Sequence, residues 1–281
     1  MAIKPVFEDD AADDVKDCYV KIKHALNLPK VPLFFAYLGS FPLYLKHITN
    51  QLVINLSDPS FKAIIDETSG NIMNQIQNRL AKSEEINSWL LLYSRSPSFY
   101  NFQIDLKNVF QTNLKLAFIF ICLREALKGW AIAAKKLPNP SQIHKNIYKS
   151  EKDEEEDFIF ENMLGNSSPI GNSSSQMLST VAPHALEKDM LPEYLFLCRR
   201  DFLQILKKSD FWFLRIDAEK KILSELAILP QLIFSPINVI LRLIGQRGDY
   251  PDLLYLLSEH FPTYAIQRMM FSGYITAPSL I

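Results

Sequence analysis

Glycine is scarce in this chain, with 8 in 281 residues. Strict alternation of polar and apolar side chains is equally hard to find, so the strands of a sandwich or barrel have no support. Charge of one sign is missing too: 30 basic residues stand against 31 acidic ones. The basic pairs Lys135-Lys136, Arg199-Arg200, Lys207-Lys208 and Lys220-Lys221 are balanced by acids over the chain. That balance argues against a nucleic-acid partner, whose phosphates need a basic face. The cysteines Cys18, Cys122 and Cys198 are too few and too far apart for a disulfide framework or a zinc site. Their apolar neighbours mark them as small buried hydrophobes.

Familiar catalytic signatures are absent as well. The chain has no Gly-rich phosphate loop, no Gly-x-Ser-x-Gly elbow, no His-Glu-x-x-His and no Cys-x-x-Cys. The histidines His24, His47, His144, His184 and His260 never fall four apart, which leaves a helical metal site without ligands. Neither a metal nor a cofactor is expected. Glu8, Asp9, Asp10, Asp13 and Asp14 make the N-terminus acidic, the reverse of a secretory or mitochondrial leader, so the expected location is cytoplasmic. The apolar run 116–123 is too short to span a bilayer. The run 226–241 carries Pro230, Gln231, Pro236 and Asn238, reads as a buried helix-turn-helix, and completes the expectation of no transmembrane segment.

Helical spacing is plentiful. Val15, Cys18, Tyr19, Ile22 and Leu26 recur at three- and four-residue steps, as do Leu45, Ile48, Leu52 and Leu56. The same spacing continues through Phe61, Ile64, Ile65, Thr68, Ile72, Ile76 and Leu80, then through Leu106, Val109, Phe110 and Leu114. Pro29, Pro32, Pro42, Pro59 and Pro97 punctuate these segments at places suited to helix starts. An all-α fold follows.

Around residue 150 the character changes. A charge block, Lys152 to Asp157, precedes a stretch from Gly165 to Gln176 that is almost wholly Gly, Asn, Ser and Pro. Such a segment buries too little apolar surface to offset the entropy of ordering it. It is read as an acidic and serine-rich disordered linker over 150–181, between an N-terminal helical repeat at 1–149 and a C-terminal one at 182–281. The flanks resemble each other. Pro42-Leu43-Tyr44-Leu45 and Pro192-Glu193-Tyr194-Leu195 share a pattern 150 residues apart, and Leu56, Phe61 and Ile64 meet Leu206, Phe211 and Leu214 at the same offset. Two pseudo-symmetric helical repeats forming a fused pseudo-dimer is the natural reading, and a homodimer of the whole chain stays open.

Three stretches go further. Tyr19-Val20-Lys21-Ile22-Lys23 leads to Leu28-Pro29-Lys30-Val31-Pro32 and then to Phe41-Pro42-Leu43-Tyr44-Leu45. This order resembles the opening of the group I 2-haloacid dehalogenases, with their Tyr-x-x-Ile-Lys/Arg helix, Leu-x-Val/Leu-Pro turn and Phe-Pro-x-Tyr-Leu. Val109-Phe110-Gln111-Thr112-Asn113-Leu114-Lys115 is similar to that family's Phe-x-x-Asn-Pro-Lys segment. The resemblance implies two similar all-α halves with one site between them, and hydrolysis of a small halogenated carboxylic acid. A carboxylate would activate water to displace halide, which requires an ionised base, positioning donors and an apolar wall at the leaving group.

Asn113 matches the family's site asparagine; helix capping is its plainer alternative. Lys30 replaces an aromatic residue, and with Leu33 is a candidate for holding substrate, although a turn lysine is more often simply solvated. The family's catalytic aspartate corresponds, counting back from Pro192, to a position near His184. His184 could serve as base, since imidazole titrates around pH 6.5, or be an exposed loop residue. Asp189 is the other candidate, or else the cap of a helix beginning near Leu191-Pro192. The missing aspartate also supports a second expectation, a non-catalytic interaction protein that kept the fold.

Overall fold

The computed structural model describes residues 3–129, 187–231, 233–245 and 250–276. The segment read as a linker, 150–181, and His184 lie outside the described residues, as does the boundary between the two proposed repeats. Every regular element among the described residues is helical, so the all-α expectation holds.

The N-terminal part runs α1 (Asp13–Leu26), α2 (Leu33–Leu38), α3 (Pro42–Ser57), α4 (Pro59–Arg79), α5 (Glu84–Tyr93) and α6 (Pro97–Lys128). The C-terminal part runs α7 (Glu187–Ile205), α8 (Ser209–Glu225), a 3-10 turn (Leu226–Ile228), α9 (Ile237–Ile244), α10 (Tyr250–Tyr255), a π-helical turn (Leu256–His260) and α11 (Phe261–Ile275). The spacing rules place several elements well. Val15, Cys18, Tyr19, Ile22 and Leu26 form the buried stripe of α1, and Phe61, Ile64, Ile65, Ile72 and Ile76 that of α4. Prolines open α3, α4 and α6, where the first turn has no use for the missing N–H. All three cysteines are free and buried, as small hydrophobes.

Helix α6 is the spine of the molecule. The apolar run 116–123 lies in the C-terminal half of this 32-residue helix and is not a short element of its own. Among the described residues α6 is the helix long and apolar enough to cross a membrane, yet 72% of its most apolar window is buried inside the fold. Helix α11 lies along it in the most extensive helix pair of the structure, and Asn113 bonds Ser272 while Phe120 packs on Phe261, which makes the two antiparallel. The 226–241 run departs from the buried helix-turn-helix expected of it. Its described residues form a 3-10 turn, an irregular stretch and the start of α9, and they expose Ile228, Phe234, Ile237 and Leu241. Pro230 and Pro236 are the reason, since neither can continue a helix.

One face of α3 holds residues on either side of that irregular stretch. The Asn55 amide takes the Gln231 N–H at 3.0 Å and gives to its carbonyl at 2.8 Å. One turn earlier, Gln51 treats Phe234 the same way, at 2.7 and 3.3 Å. His47 and Tyr44 continue the ladder, to the Phe234 carbonyl at 2.8 Å and the Ser235 hydroxyl at 2.9 Å. Residues 44, 47, 51 and 55 share a helix face by their three- and four-residue steps. Two side-chain amides thus satisfy backbone groups that no regular element pairs.

Candidate functional site

Asn113 is the resemblance-derived residue with the best-defined surroundings. It sits in mid-α6, 5% exposed, so it is neither a cap nor a turn residue. Its side-chain amide donates to Ser272 Oγ at 3.1 Å and to the Arg268 carbonyl at 3.5 Å, both on α11. Beside it is a small internal cavity of about 10 Å³, lined by Leu28, Pro32, Val109, Thr112, Leu116 and Arg268. That is space for about one water molecule.

Outside this cavity a cleft of about 360 Å³ lies between α6 and the α1–α2 turn. The turn is built by Asn27, whose left-handed backbone (φ 54°) ends α1 and lets the Leu28 N–H reach back to the Lys23 carbonyl at 2.9 Å. Leu26, Leu28 and Pro29 form the apolar side of the cleft. The α6 side carries Asp105, Asn108, Val109 and Thr112, which fall at steps of three and four on one helical face, with Lys115 following.

Two charged groups there are perturbed. Burial raises the Asp105 carboxyl above its ordinary value. Burial lowers the Lys115 ammonium, with Asp66 opposing and Lys62 adding to the effect. An acid with a raised affinity for its proton and a partly desolvated ammonium thus lie on one cleft wall, ten residues or about 15 Å of helix rise apart. Deeper in, burial also pulls the Arg268 guanidinium down, while the neighbouring Tyr264 favours its charged form.

The remaining residues named from the sequence are not brought to this place. Lys30 is exposed, and its charge acts on Glu8, a carboxylate that accepts from the Val31 N–H at 2.8 Å and from Lys23. Leu33 opens α2 half-buried and lines neither cavity. Its neighbour Phe34 packs instead into an aromatic group, 4.6 Å from Phe120 and 5.4 Å from Tyr264 by ring centres. Asp189 falls within the first turn of α7, because that helix begins at Glu187 and runs through Pro192 rather than starting there. It is therefore not the N-cap that the Leu191-Pro192 pattern suggested. His184 lies outside the described residues.

Sequence reasoning missed Asp105 and Arg268. Asp105 could have been found: Thr112, inside the quoted motif, and Asp105 are seven residues apart, two turns on the same face. Nothing local points to Arg268, which comes to Asn113 from 155 residues away.

No family model matches this sequence, and no curated protein does either. Two solved structures share the fold. A D-2-haloacid dehalogenase in complex with L-LA superposes with a TM-score of 0.65 at 13% identity, over 97% of this chain and 94% of that one. A D-2-haloacid dehalogenase mutant with D-2-CPA gives 0.62, at the same identity and coverage. The likeness covers nearly the whole of both chains and is one of fold.

Proposed function

We propose that this protein is a dehalogenase-like hydrolase that takes a small 2-halogenated carboxylic acid in the cleft between α6 and the α1–α2 turn. The observation that carries the reading is the composition of that cleft. It sets a buried-shifted carboxyl, Asp105, and an ammonium, Lys115, on one wall, and the apolar Leu26, Leu28 and Pro29 on the other. In this reading Lys115 holds the substrate carboxylate, the leucines and proline surround the departing halide, and a carboxylate takes a proton from the attacking water. Asp105 is the base supported by position. Asp189 and His184 are the alternatives carried by the family resemblance, and Asn113 orders the inner end of the site through α11. No cofactor enters the scheme.

Halide release from a panel of short 2-chloro and 2-bromo acids tests it. The expected result is turnover that falls by about 10²-fold or more in the variant lacking the base, whichever of Asp105→Asn, Asp189→Asn or His184→Gln that is. Lys115→Met is expected to raise KM more than it lowers kcat.

A second reading has its own observation. The cavity beside Asn113 has room for about one water, and Phe34, Phe120, Phe261 and Tyr264 pack on one another. A chain that keeps this fold to bind an acid without turning it over would look the same. Folded protein that releases no halide across the panel, yet whose melting temperature the same acids raise, would establish that reading in place of the first.

A further inference from the structure

Away from the cleft, α3, the stretch after α8 and α9 share a face whose apolar side chains stand out to solvent. Leu43 and Phe234 are 61% and 60% exposed, and Ile54, Ile237 and Leu241 are exposed beside them. Around α3, Leu43, His47 and Ile54 fall within about 40° of one another at 3.6 residues per turn, and His47 bonds the Phe234 carbonyl at 2.8 Å. Ile237 and Leu241 stand one turn apart on α9, which packs on α3. Exposed apolar surface gathered in this way marks an interaction site.

The face is also one-sided in charge. Neither α3 nor the residues 226–244 include an acid, while Lys46 and Arg242 are exposed cations there. The acids that border these segments are engaged: Asp58 caps α4, and Glu225 accepts from Lys221. A second copy of the same face would set cation against cation with no acid between them. What complements it is an acidic segment that also carries apolar side chains. This chain has one. The stretch 151–164 sets seven acidic residues against Lys152 and adds Phe158, Ile159, Phe160, Met163 and Leu164.

We propose that this stretch, which lies outside the described residues, docks on the α3–α9 face, with its acids toward Lys46 and Arg242 and its apolar side chains on Phe234, Ile237 and Leu241. Position favours it. The Cys122 sulfur takes a hydrogen bond from the Ile233 backbone, next to Phe234, and α6 ends at Lys128, only about 10 Å of helix beyond that contact. Residue 152 follows about twenty positions later, a reach of up to about 70 Å. The return is possible as well. Tyr194 packs on Phe99 and Phe102, which puts the start of α7 near the start of α6, about 45 Å of helix from its end. The residues between Leu164 and Glu187 again reach up to about 70 Å. A segment tethered this closely needs little intrinsic affinity, because the tether supplies a local concentration on the order of millimolar. None of the cleft residues takes part, so the inference stands or falls independently of the hydrolase reading.

Amide hydrogen exchange on the full chain tests it. The amides of 158–164 are expected to exchange about tenfold or more slowly in wild type than in Phe234→Asp, or than in the double variant Lys46→Glu, Arg242→Glu. All three positions are exposed, so the substitutions leave the core untouched. High salt should narrow the wild-type protection, since charge pairing at an open surface is screened. In the reverse direction, Phe158→Ser with Phe160→Ser should uncover the face and raise the fluorescence of a hydrophobic dye. Free-peptide exchange of 158–164 in wild type, or equal exchange in wild type and Phe234→Asp, would overturn the proposal. Equal exchange overturns it even where Phe234→Asp dissolves a dimer or abolishes sedimentation with anionic vesicles, because either result gives the face to another occupant.

Discussion

Gly273 shows how finely single residues are fitted. It lies in α11 facing Ile76 of α4 and Phe110 of α6, and a Cβ there would stand 2.7 Å from Ile76 Cδ1 and 3.1 Å from the Phe110 ring. Alanine normally strengthens a helix, but here overpacking at a cost of about 1–3 kcal/mol outweighs the gain of about 1 kcal/mol. Gly273→Ala is expected to lower the urea midpoint, while Gly70→Ala in α4, with open space around it, raises it. Lys82 makes the second prediction at this scale. It donates to the Tyr274 carbonyl at the end of α11 and sits over that ring at 4.4 Å. Burial pulls its ammonium down to about 8, with Cys198 and Asp201 opposing. Between that value and the ordinary lysine value of 10.5 the unfolded chain binds the proton and the folded chain does not. Stability from this group therefore rises with pH across that window, by at most about 1.4 kcal/mol per pH unit. Wild type should gain on Lys82→Met from pH 8 to 10 in paired denaturation curves. The comparison must be paired because the buried Cys122 and Cys198 thiols, pushed up to about 12, act in the opposite sense above pH 9.

At the scale of elements, α6 carries both the core and the candidate site, so its start controls much. Ser96 caps it by accepting the Phe99 N–H at 3.2 Å, with Pro97 at the first helical position. Ser96→Ala should cost about 1 kcal/mol in chemical denaturation and leave the cleft residues, two turns and more away, in place. The elements were legible to the degree that their burial is one-sided. Stripes in α1 and α4 announce themselves, since a helix with one wet face must segregate its residues. The C-terminal half of α6 does not, because Leu116 to Leu123 is buried on every side and so loses its period. The same helix shows why the site was half seen: Asn113 stood inside a recognisable motif, whereas Asp105 shares only a face with it. For α7 the local signal misled. Pro192 reads as a helix start, yet the helix already begins at Glu187 and accepts the proline within its second turn.

For the whole molecule, the ladder from α3 to Gln231, Phe234 and Ser235 ties the N-terminal part to the C-terminal part across more than 170 residues. Asn55→Ala would strip two backbone groups of their partners at once and should cost about 2 kcal/mol, on the scale of a buried polar group left unsatisfied. Gln51→Ala, at a more exposed point, should cost less, and the double variant should show coupling between them. Equal and additive losses would mean that the stretch is held by its apolar residues instead. Helices α4 and α8 begin 150 residues apart, at Pro59 and Ser209, and the buried Tyr44 and Tyr194 keep the same interval. Their hydroxyls nevertheless go to different kinds of partner, Ser235 in one case and the Ile275 carbonyl in the other.

What the sequence determined by itself was the class of structure: helical periods, proline starts and the dearth of glycine are local properties, set within a few residues by backbone sterics and one-sided burial. The apolar character of the cysteines was equally local. Tertiary structure alone decided the contacts that join residues more than a hundred positions apart. Arg268 behind Asn113 and the α3 face that receives Gln231 depend on how helices pack, and no period or spacing within one element encodes which partner it will meet.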